Sequence, residues 1–249
     1  MADGLTAPRR PITKEPLLPV FDLNQIHTRE CDIGMGWTSS FCDAIPNWRD
    51  PQNLDNAIDR FLLYTLAYGH IGWLVEEEFG IERTCRSYYM LQQVQARYGL
   101  KAPSRLAYWD GTKFLTVSEA VVSDAADDQR QLYVEYPDGL HLWFNDHPTD
   151  DWRVRVGSQD VVLPPTGWAA WESDDSLFSY SAVRAGGKAD YLRCAAYTYL
   201  DGRGQWFSTP EGGSDGALAI SPLSPRSLQV IRISGKEPFV IRRPYGVVI

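Results

Sequence analysis

The sequence is poor in the residues that bind metals and nucleic acids. Among 249 residues there are 4 His and 4 Cys, and the cysteines form no C-x-x-C pair, which argues against a zinc site. The 24 Lys and Arg are outnumbered by 32 Asp and Glu, and the formal net charge is -8. A nucleic-acid binder needs clustered basic residues, so this class of protein is set aside.

Long hydrophobic runs are also missing. No segment approaches the length of a membrane span, and the first 16 residues lack the apolar region of a signal peptide. We expect residues 1–16 to be extended or disordered. A disulfide between Cys31 and Cys42 is expected only in an oxidising compartment, and buried free thiols are the default. The sequence predicts no membrane partner.

What is present is a chain rich in apolar and aromatic residues, with an α/β pattern up to about residue 100. Hydrophobic residues make up 44% of the chain and aromatic residues 12%, enough for a full core. Residues 17–26 form a short apolar run that is typical of a buried strand. Asp50 and Pro51 are typical of a helix start, and the apolar stripe that follows predicts a helix over residues 50–67.

Two glycines then interrupt the helical pattern. These are Gly69 and Gly72, and the short segment around residues 71–75 is interpreted as a second buried strand or a tight turn. A second helix is predicted over residues 84–98, with Gly99 as its C-cap. The order strand, helix, strand, helix predicts two consecutive β/α units.

Beyond residue 103 the hydrophobic period changes to two. Leu132, Val134 and Tyr136 alternate with their neighbours, and the Pro-Asp-Gly at 137–139 predicts a β-hairpin. Further short strands, separated by Gly, Pro, Ser and Asp clusters, follow to the end of the chain. Many short strands at this spacing indicate an antiparallel sandwich over residues 103–249.

Four motifs carry a resemblance to a known family. The segments LLYTLAYGHIGWL, YPDGLHLWFND, VVLPPTGWAAW and YTYLDGRGQW occur in this order, and together they resemble the C-terminal part of large bacterial glycoside hydrolase-like proteins. In those proteins a (β/α)8 barrel precedes an all-β domain. The resemblance implies an α+β fold in which residues 17–102 are the last β/α units of a TIM-type barrel and residues 103–249 are the sandwich. Residues 17–26 and 68–75 would be the seventh and eighth strands.

The chain departs from that family in length. A closed barrel needs eight strands, and six would be missing. The remaining strands would expose open edges, so the chain is interpreted as a fragment that lacks an N-terminal barrel portion, or as a homo-oligomer.

Six residues are candidates for the site that the resemblance implies. Catalytic residues of (β/α)8 enzymes lie at the C-terminal ends of strands and in the loops that follow, here the long polar loop after residue 26. Glycoside hydrolysis usually needs two carboxyl groups, and Glu30 and Asp32 are the predicted catalytic pair. The predicted substrate-binding residues, by hydrogen bonding or stacking, are Asn24, His27, Trp37 and His70.

Each candidate also has a structural alternative. Loop carboxylates are often solvated charges or helix caps, and His70 between its glycines can be a hydrogen-bonded packing residue. The tryptophans of the β-region are candidates for a sugar platform, although alternation places several of them in the core: Trp109, Trp143, Trp168, Trp171 and Trp206. Neither a metal nor a cofactor is predicted.

The sequence thus predicts a glycoside hydrolase-like protein that acts on oligo- or polysaccharide, with little activity on its own. The alternative is a non-catalytic module, either carbohydrate-binding or structural. Localisation stays open, because the export signal of a polysaccharide-degrading parent would lie upstream of this chain.

Overall fold

The computed structural model describes residues 50–184 and 186–242, which contain four helices and fifteen strands. The helices are α1 Pro51–Ala67, α2 Glu76–Tyr98, α3 Val117–Val122 and α4 Ala125–Asp128. The strands up to the middle of the chain are β1 Arg105–Trp109, β2 Phe114–Leu115, β3 Gln131–Glu135, β4 Leu140–Asn145, β5 Trp152–Val156, β6 Gln159–Leu163 and β7 Gly167–Glu172. The remaining strands are β8 Leu177–Arg184, β9 Gly187–Cys194, β10 Thr198–Asp201, β11 Phe207–Ser208, β12 Gly212–Ser214, β13 Ala217–Ser224, β14 Ser227–Arg232 and β15 Val240–Ile241.

Ten of these strands form one large sheet, and every pairing in it is antiparallel. The strand order is β14-β13-β10-β9-β8-β7-β4-β3-β1-β2, so most neighbours in the sheet are also neighbours along the chain. The remaining strands form a hairpin, β5-β6, and a small sheet, β11-β12-β15. The large sheet is therefore close to a simple meander, and the other elements pack around it.

One face of the large sheet is covered by helices. The apolar stripe of α1 includes Ile58 and Leu62, which are fully buried, and it packs with inward residues of the sheet such as Leu142 and Trp168 into one core. The second long helix, α2, adds Leu91 to the same core. Alternation along each strand sends every second side chain to this side, so one strand supplies both faces of the sheet.

The opposite face of the sheet is covered by the β5-β6 hairpin and the small sheet. Buried and exposed side chains alternate along β5, with Val154 and Val156 buried and Arg153 and Arg155 exposed. Its apolar side packs with outward rings of the large sheet, including Phe178, in a second core. Two layers thus enclose the central sheet, one helical and one of β-structure.

The prediction of TIM-barrel units is wrong. The helices α1 and α2 follow one another directly, joined by residues 68–75, which form a turn and an extended connection with no strand. Both helices pack on one face of an antiparallel sheet, whereas a barrel unit needs a parallel strand between them. The predicted second strand, residues 71–75, is an extended connection that buries Leu74 against this core without pairing with a strand of the described part. Residues 17–26, the predicted seventh strand, lie outside the described residues.

Two local predictions are confirmed. The first helix begins at Pro51, and the Leu54 amide donates to the Asp50 carbonyl at 2.8 Å. The predicted hairpin is β3-β4, with Leu132 paired to Phe144 and Val134 paired to Leu142 around the Pro-Asp-Gly turn. The second helix is longer than predicted, since it starts at residue 76 and is kinked at Gly80. No helix in the described part is long and apolar enough to cross a membrane.

Candidate functional site

A cleft of about 530 Å³ opens at one end of the sheet, where the helical layer meets the loops after β10, before β13 and after β14. We call it the network cleft. Its lining consists of four carboxylates, four cations and five small residues: Asp55, Glu82, Asp201, Asp215, Arg83, Arg86, Arg203, Lys236, Gly204, Gly216, Ala217, Ser234 and Gly235. The cleft is strongly polar and carries no aromatic ring in its lining. Charged and hydrogen-bonding ligands suit such a surface better than apolar ones.

A buried ionic network stabilises the floor of the cleft. Asp59, on the inner side of α1, accepts hydrogen bonds from Arg86 at 2.6 Å and from Lys188 at 2.9 Å. Arg203 donates to both oxygens of the same carboxylate, at 3.1 and 3.0 Å. One carboxylate thus joins α1, α2, β9 and the loop after β10.

A second carboxylate completes this network. Arg86 donates through its Nε to Oδ2 of Asp190, on β9, at 2.6 Å. Burial alone would raise the pKa of Asp59, but the charges of Lys188, Arg86 and Arg203 outweigh it and hold that pKa well below its usual value. Burial would also raise the pKa of Asp190, but the charges of Arg86 and Arg203 outweigh it and lower that pKa, so both carboxylates are anions near neutral pH. The network fixes where the side chains of the cleft floor lie.

Asp201 ends β10 and lies at the junction between this network and the cleft. Its Oδ1 accepts from the Arg203 backbone amide at 2.8 Å, and its Oδ2 accepts from the Tyr199 hydroxyl at 3.4 Å. Burial and the nearby charge of Asp190 raise the pKa of Asp201 to about 6. This carboxyl is therefore about half protonated near pH 6, where an ordinary aspartate is ionised.

Asp215 also lines the cleft, and its pKa is shifted in the opposite direction. The backbone amide of Lys236 donates to its Oδ2 at 2.9 Å, and the amide of Glu237 donates to the same oxygen at 3.2 Å. These amides lower the pKa of Asp215 below its usual value, because hydrogen bonds to a carboxylate favour its ionised form. Gly216 follows it, and a Cβ there would lie 2.3 Å from the Gly235 nitrogen, so the two loops approach closely only without a side chain.

The predicted site residues lie mostly outside the described chain. Glu30, Asp32, Asn24, His27 and Trp37 belong to residues 1–49, which the structure does not describe, and the same holds for Cys31 and Cys42. Their predicted roles, and the disulfide, stay predictions. His70 alone is described. The remaining cysteines, Cys85 and Cys194, are free thiols.

His70 does not line the network cleft. It is buried, with 3% of its surface exposed, and its carbonyl accepts a hydrogen bond from the Tyr98 hydroxyl at 2.6 Å. Its ring meets Tyr68 edge to face at 5.9 Å. These contacts join the end of α1 to the end of α2, and its predicted contact with substrate stays a prediction.

Sequence reasoning did not single out the residues of the cleft and its network, although two signals were available. Asp201 and Arg203 lie in the segment YTYLDGRGQW, one of the four motifs of the family resemblance. Asp59 interrupts the apolar residues of α1, which is unusual for a side that faces the core. Neither feature alone indicates which partners these residues meet.

Comparison with known proteins gives no relative from which the role of the cleft can be inferred. No family model, no curated protein and no solved structure matches this chain. In the described part, no group of three or more His, Cys, Asp and Glu side chains is arranged to hold a metal ion. The chemistry of the cleft must therefore be inferred from its own residues.

Proposed function

We propose that this is a glycoside hydrolase-like protein that binds carbohydrate in the network cleft, with Asp201 and Asp215 as its two working carboxyl groups. The observation that supports this proposal is that two carboxyls line one cleft and have pKa values shifted in opposite directions. Environments that separate the pKa values of two carboxyls are a feature of acid and base pairs. Glycoside hydrolysis generally requires such a pair.

The two carboxyls would have different roles. Asp201, with its raised pKa, would donate a proton to the oxygen of the leaving sugar. Asp215, held as an anion by two backbone amides, would act on the other side of the bond as base or nucleophile. Arg203 belongs to both the network and the cleft lining, and its guanidinium is held by Asp59. Polar groups of this kind are suited to hydrogen bonding with sugar hydroxyls.

A second candidate is a non-catalytic carbohydrate-binding module. It is favoured by the fact that both carboxyls already have roles in the fold. Asp201 accepts from the amide of Arg203 in the loop after β10, and Asp215 accepts from the amide of Lys236 in the loop after β14. Carboxylates that fix loops in this way can shape a binding cleft without taking part in chemistry.

Hydrolysis and binding assays separate the two candidates. The purified chain is incubated with α- and β-linked aryl glycosides and with neutral oligosaccharides, beside the variants Asp201→Asn and Asp215→Asn. Asp160→Asn is the matched control, because Asp160 is exposed in the β5-β6 hairpin and its ion pair with Arg155 lies at the surface. Circular dichroism of each variant checks that it has folded.

The proposal predicts hydrolysis that falls by about 10²-fold or more in each cleft variant and is unchanged in the control. Loss of hydrolysis only in Glu30→Gln or Asp32→Asn would move the catalytic pair to the loop after residue 26. Saturable binding without hydrolysis, weakened by Asp201→Asn, would establish the non-catalytic candidate. Absence of both hydrolysis and binding would contradict both.

A further inference from the structure

One tryptophan next to the network cleft is exposed although it is held in place. Trp206 lies in the loop between β10 and β11, three residues beyond Arg203, and 43% of its surface is exposed. The described tryptophans of the two cores are buried, among them Trp168 and Trp152. Single exposed rings are common on protein surfaces, so the case for Trp206 depends on what holds its ring and on where it lies along the chain.

Contacts on one side of the ring fix its orientation. The indole Nε1 donates to the Ser208 hydroxyl at 3.0 Å. The ring also lies against Gly213 of the neighbouring strand β12, where a Cβ would come within 2.9 Å of the indole Cζ2. A side chain at this glycine would push the ring away. The Nε1 and Cζ2 atoms of the ring thus contact the small sheet, while other parts of the ring are exposed to solvent.

The chain connects Trp206 to two segments that line the cleft. Arg203 and Gly204 precede the ring in the same loop, and the Gly204 amide donates to the Asp215 carbonyl at 2.7 Å. Asp215 and Gly216 follow Gly213 of the neighbouring strand. Trp206 and Gly213 are thus each close along the chain to a residue of the cleft lining, and the two lining segments are joined by a hydrogen bond.

We propose that Trp206 is the stacking platform for a neutral pyranose ring at the entrance of the network cleft. This inference rests on the proposed carbohydrate function and names its substrate class. A pyranose has an apolar face of C–H groups and a polar rim of hydroxyls. A flat indole can stack on the apolar face, and the charged cleft provides hydrogen-bond donors and acceptors for the hydroxyls. The cleft lining itself has no aromatic ring, so Trp206 supplies the stacking surface that the cleft lacks.

The chain offers a matched control for this role. Among the described residues, Trp73 is the other exposed tryptophan, at 40%. It lies in the connection between α1 and α2 and does not line the cleft. Trp73→Ala removes the same ring at a similar exposure, so any general effect of losing a surface tryptophan appears in both variants.

Calorimetric titration with neutral tetrasaccharides of glucose, mannose, galactose or xylose tests the proposal. We expect the best ligand of the wild type to bind Trp206→Ala about tenfold more weakly and Trp206→Phe within about threefold, because Phe keeps a ring for stacking. Binding by Trp73→Ala should equal that of the wild type. Thermal unfolding of each variant checks its fold.

The possible results separate this inference from the proposed function. If the wild type binds and Trp206→Ala binds equally well, the platform is overturned while carbohydrate binding stands. Equal losses in the Trp206→Ala and Trp73→Ala variants would also overturn it, because the effect would not be specific to the cleft. If the wild type binds none of the tetrasaccharides, the platform and the carbohydrate function fall together.

Discussion

The two faces of the ten-stranded sheet bury different chemistry. On the helical face, Asp59, Arg86 and Asp190 form ion pairs at 2.6 Å with almost no exposure to solvent. On the hairpin face, the buried residues are mainly rings and aliphatic chains, and the ion pair between Arg155 and Asp160 lies at the surface, with 61% and 84% of those side chains exposed. The difference comes partly from the covering layers and partly from the strands themselves, because Lys188 and Asp190 of β9 belong to the ionic network.

This difference indicates where function can arise in the molecule. A buried charge is stable only where other charges meet it in good geometry, so the network restricts how α1, α2, β9 and the loop after β10 can be arranged. The cleft opens directly above that network. An apolar face is held by shape and packing alone, and it tolerates a wider range of arrangements.

The largest expected effect comes from breaking the ion pairs of the helical face. Asp59→Ala leaves Arg86, Lys188 and Arg203 without their shared partner, and we expect the free energy of unfolding to fall by about 3–5 kcal/mol. Urea unfolding followed by circular dichroism measures it. In Asp160→Ala, which breaks the exposed pair of the other face, the loss should stay below about 1 kcal/mol. Equal losses in the two variants would show that the faces do not differ in this way.

A smaller effect is expected from removing packing on the hairpin face. Leu163 is fully buried, and Leu163→Ala should cost about 3 kcal/mol through lost contacts and the cavity that remains. Arg153→Ala, at an exposed position of the same hairpin, should change stability by less than about 0.5 kcal/mol. The measurement is again urea unfolding. A cost below about 1 kcal/mol for Leu163→Ala would mean that this layer contributes little to stability.

The smallest expected effect is a pH dependence of the free energy of unfolding that comes from Asp201, on the helical side. The pKa of Asp201 is about 6 in the folded protein and 3.8 is its ordinary value, so the folded state binds one more proton than the unfolded state between these values. Its stabilising contribution is therefore complete below pH 4 and is lost as the pH rises to 6. Asp59 and Asp190, whose pKa values are lowered, titrate below this window.

The variant Asp201→Asn cannot titrate and should lack this loss. We expect the stability of the wild type relative to this variant to fall by roughly 2 kcal/mol between pH 4 and pH 6.5, and to stay level above that. Urea unfolding of both proteins at half-unit steps of pH gives the difference, in which all other groups cancel. Parallel stability curves for the two proteins would contradict a raised pKa at Asp201.

The features that could be predicted from the sequence are those set by neighbouring residues. The start of α1 follows from Asp50 and Pro51, and the β3-β4 hairpin follows from alternation on either side of a Pro-Asp-Gly turn. The barrel prediction failed because an apolar stripe on a helix fits any apolar surface. The surface that α1 meets includes Leu142 and Trp168, about a hundred residues later, and no local pattern records that pairing.

The candidate site was harder to predict for the same reason. Asp59 and Arg203 are 144 residues apart, and both look like ordinary charged residues in their local sequence. The resemblance directed attention to Glu30 and Asp32, in a part of the chain that the structure does not describe. The segment containing Asp201 was noticed as a family motif, but its raised pKa depends on burial and on Asp190, neither of which the segment reveals.

The nearly sequential strand order of the large sheet has a consequence for how the chain folds. Most strand pairings join neighbours along the chain, so hairpin after hairpin can form by closing short loops. The contacts of Asp59 with Lys188 and Arg203 instead close loops of 129 and 144 residues. Closing a long loop costs more entropy, and its contacts gain strength only once the meander exists to bury them. The docking of α1 is therefore expected to be a late event in folding, and the step that completes the fold also assembles the floor of the cleft.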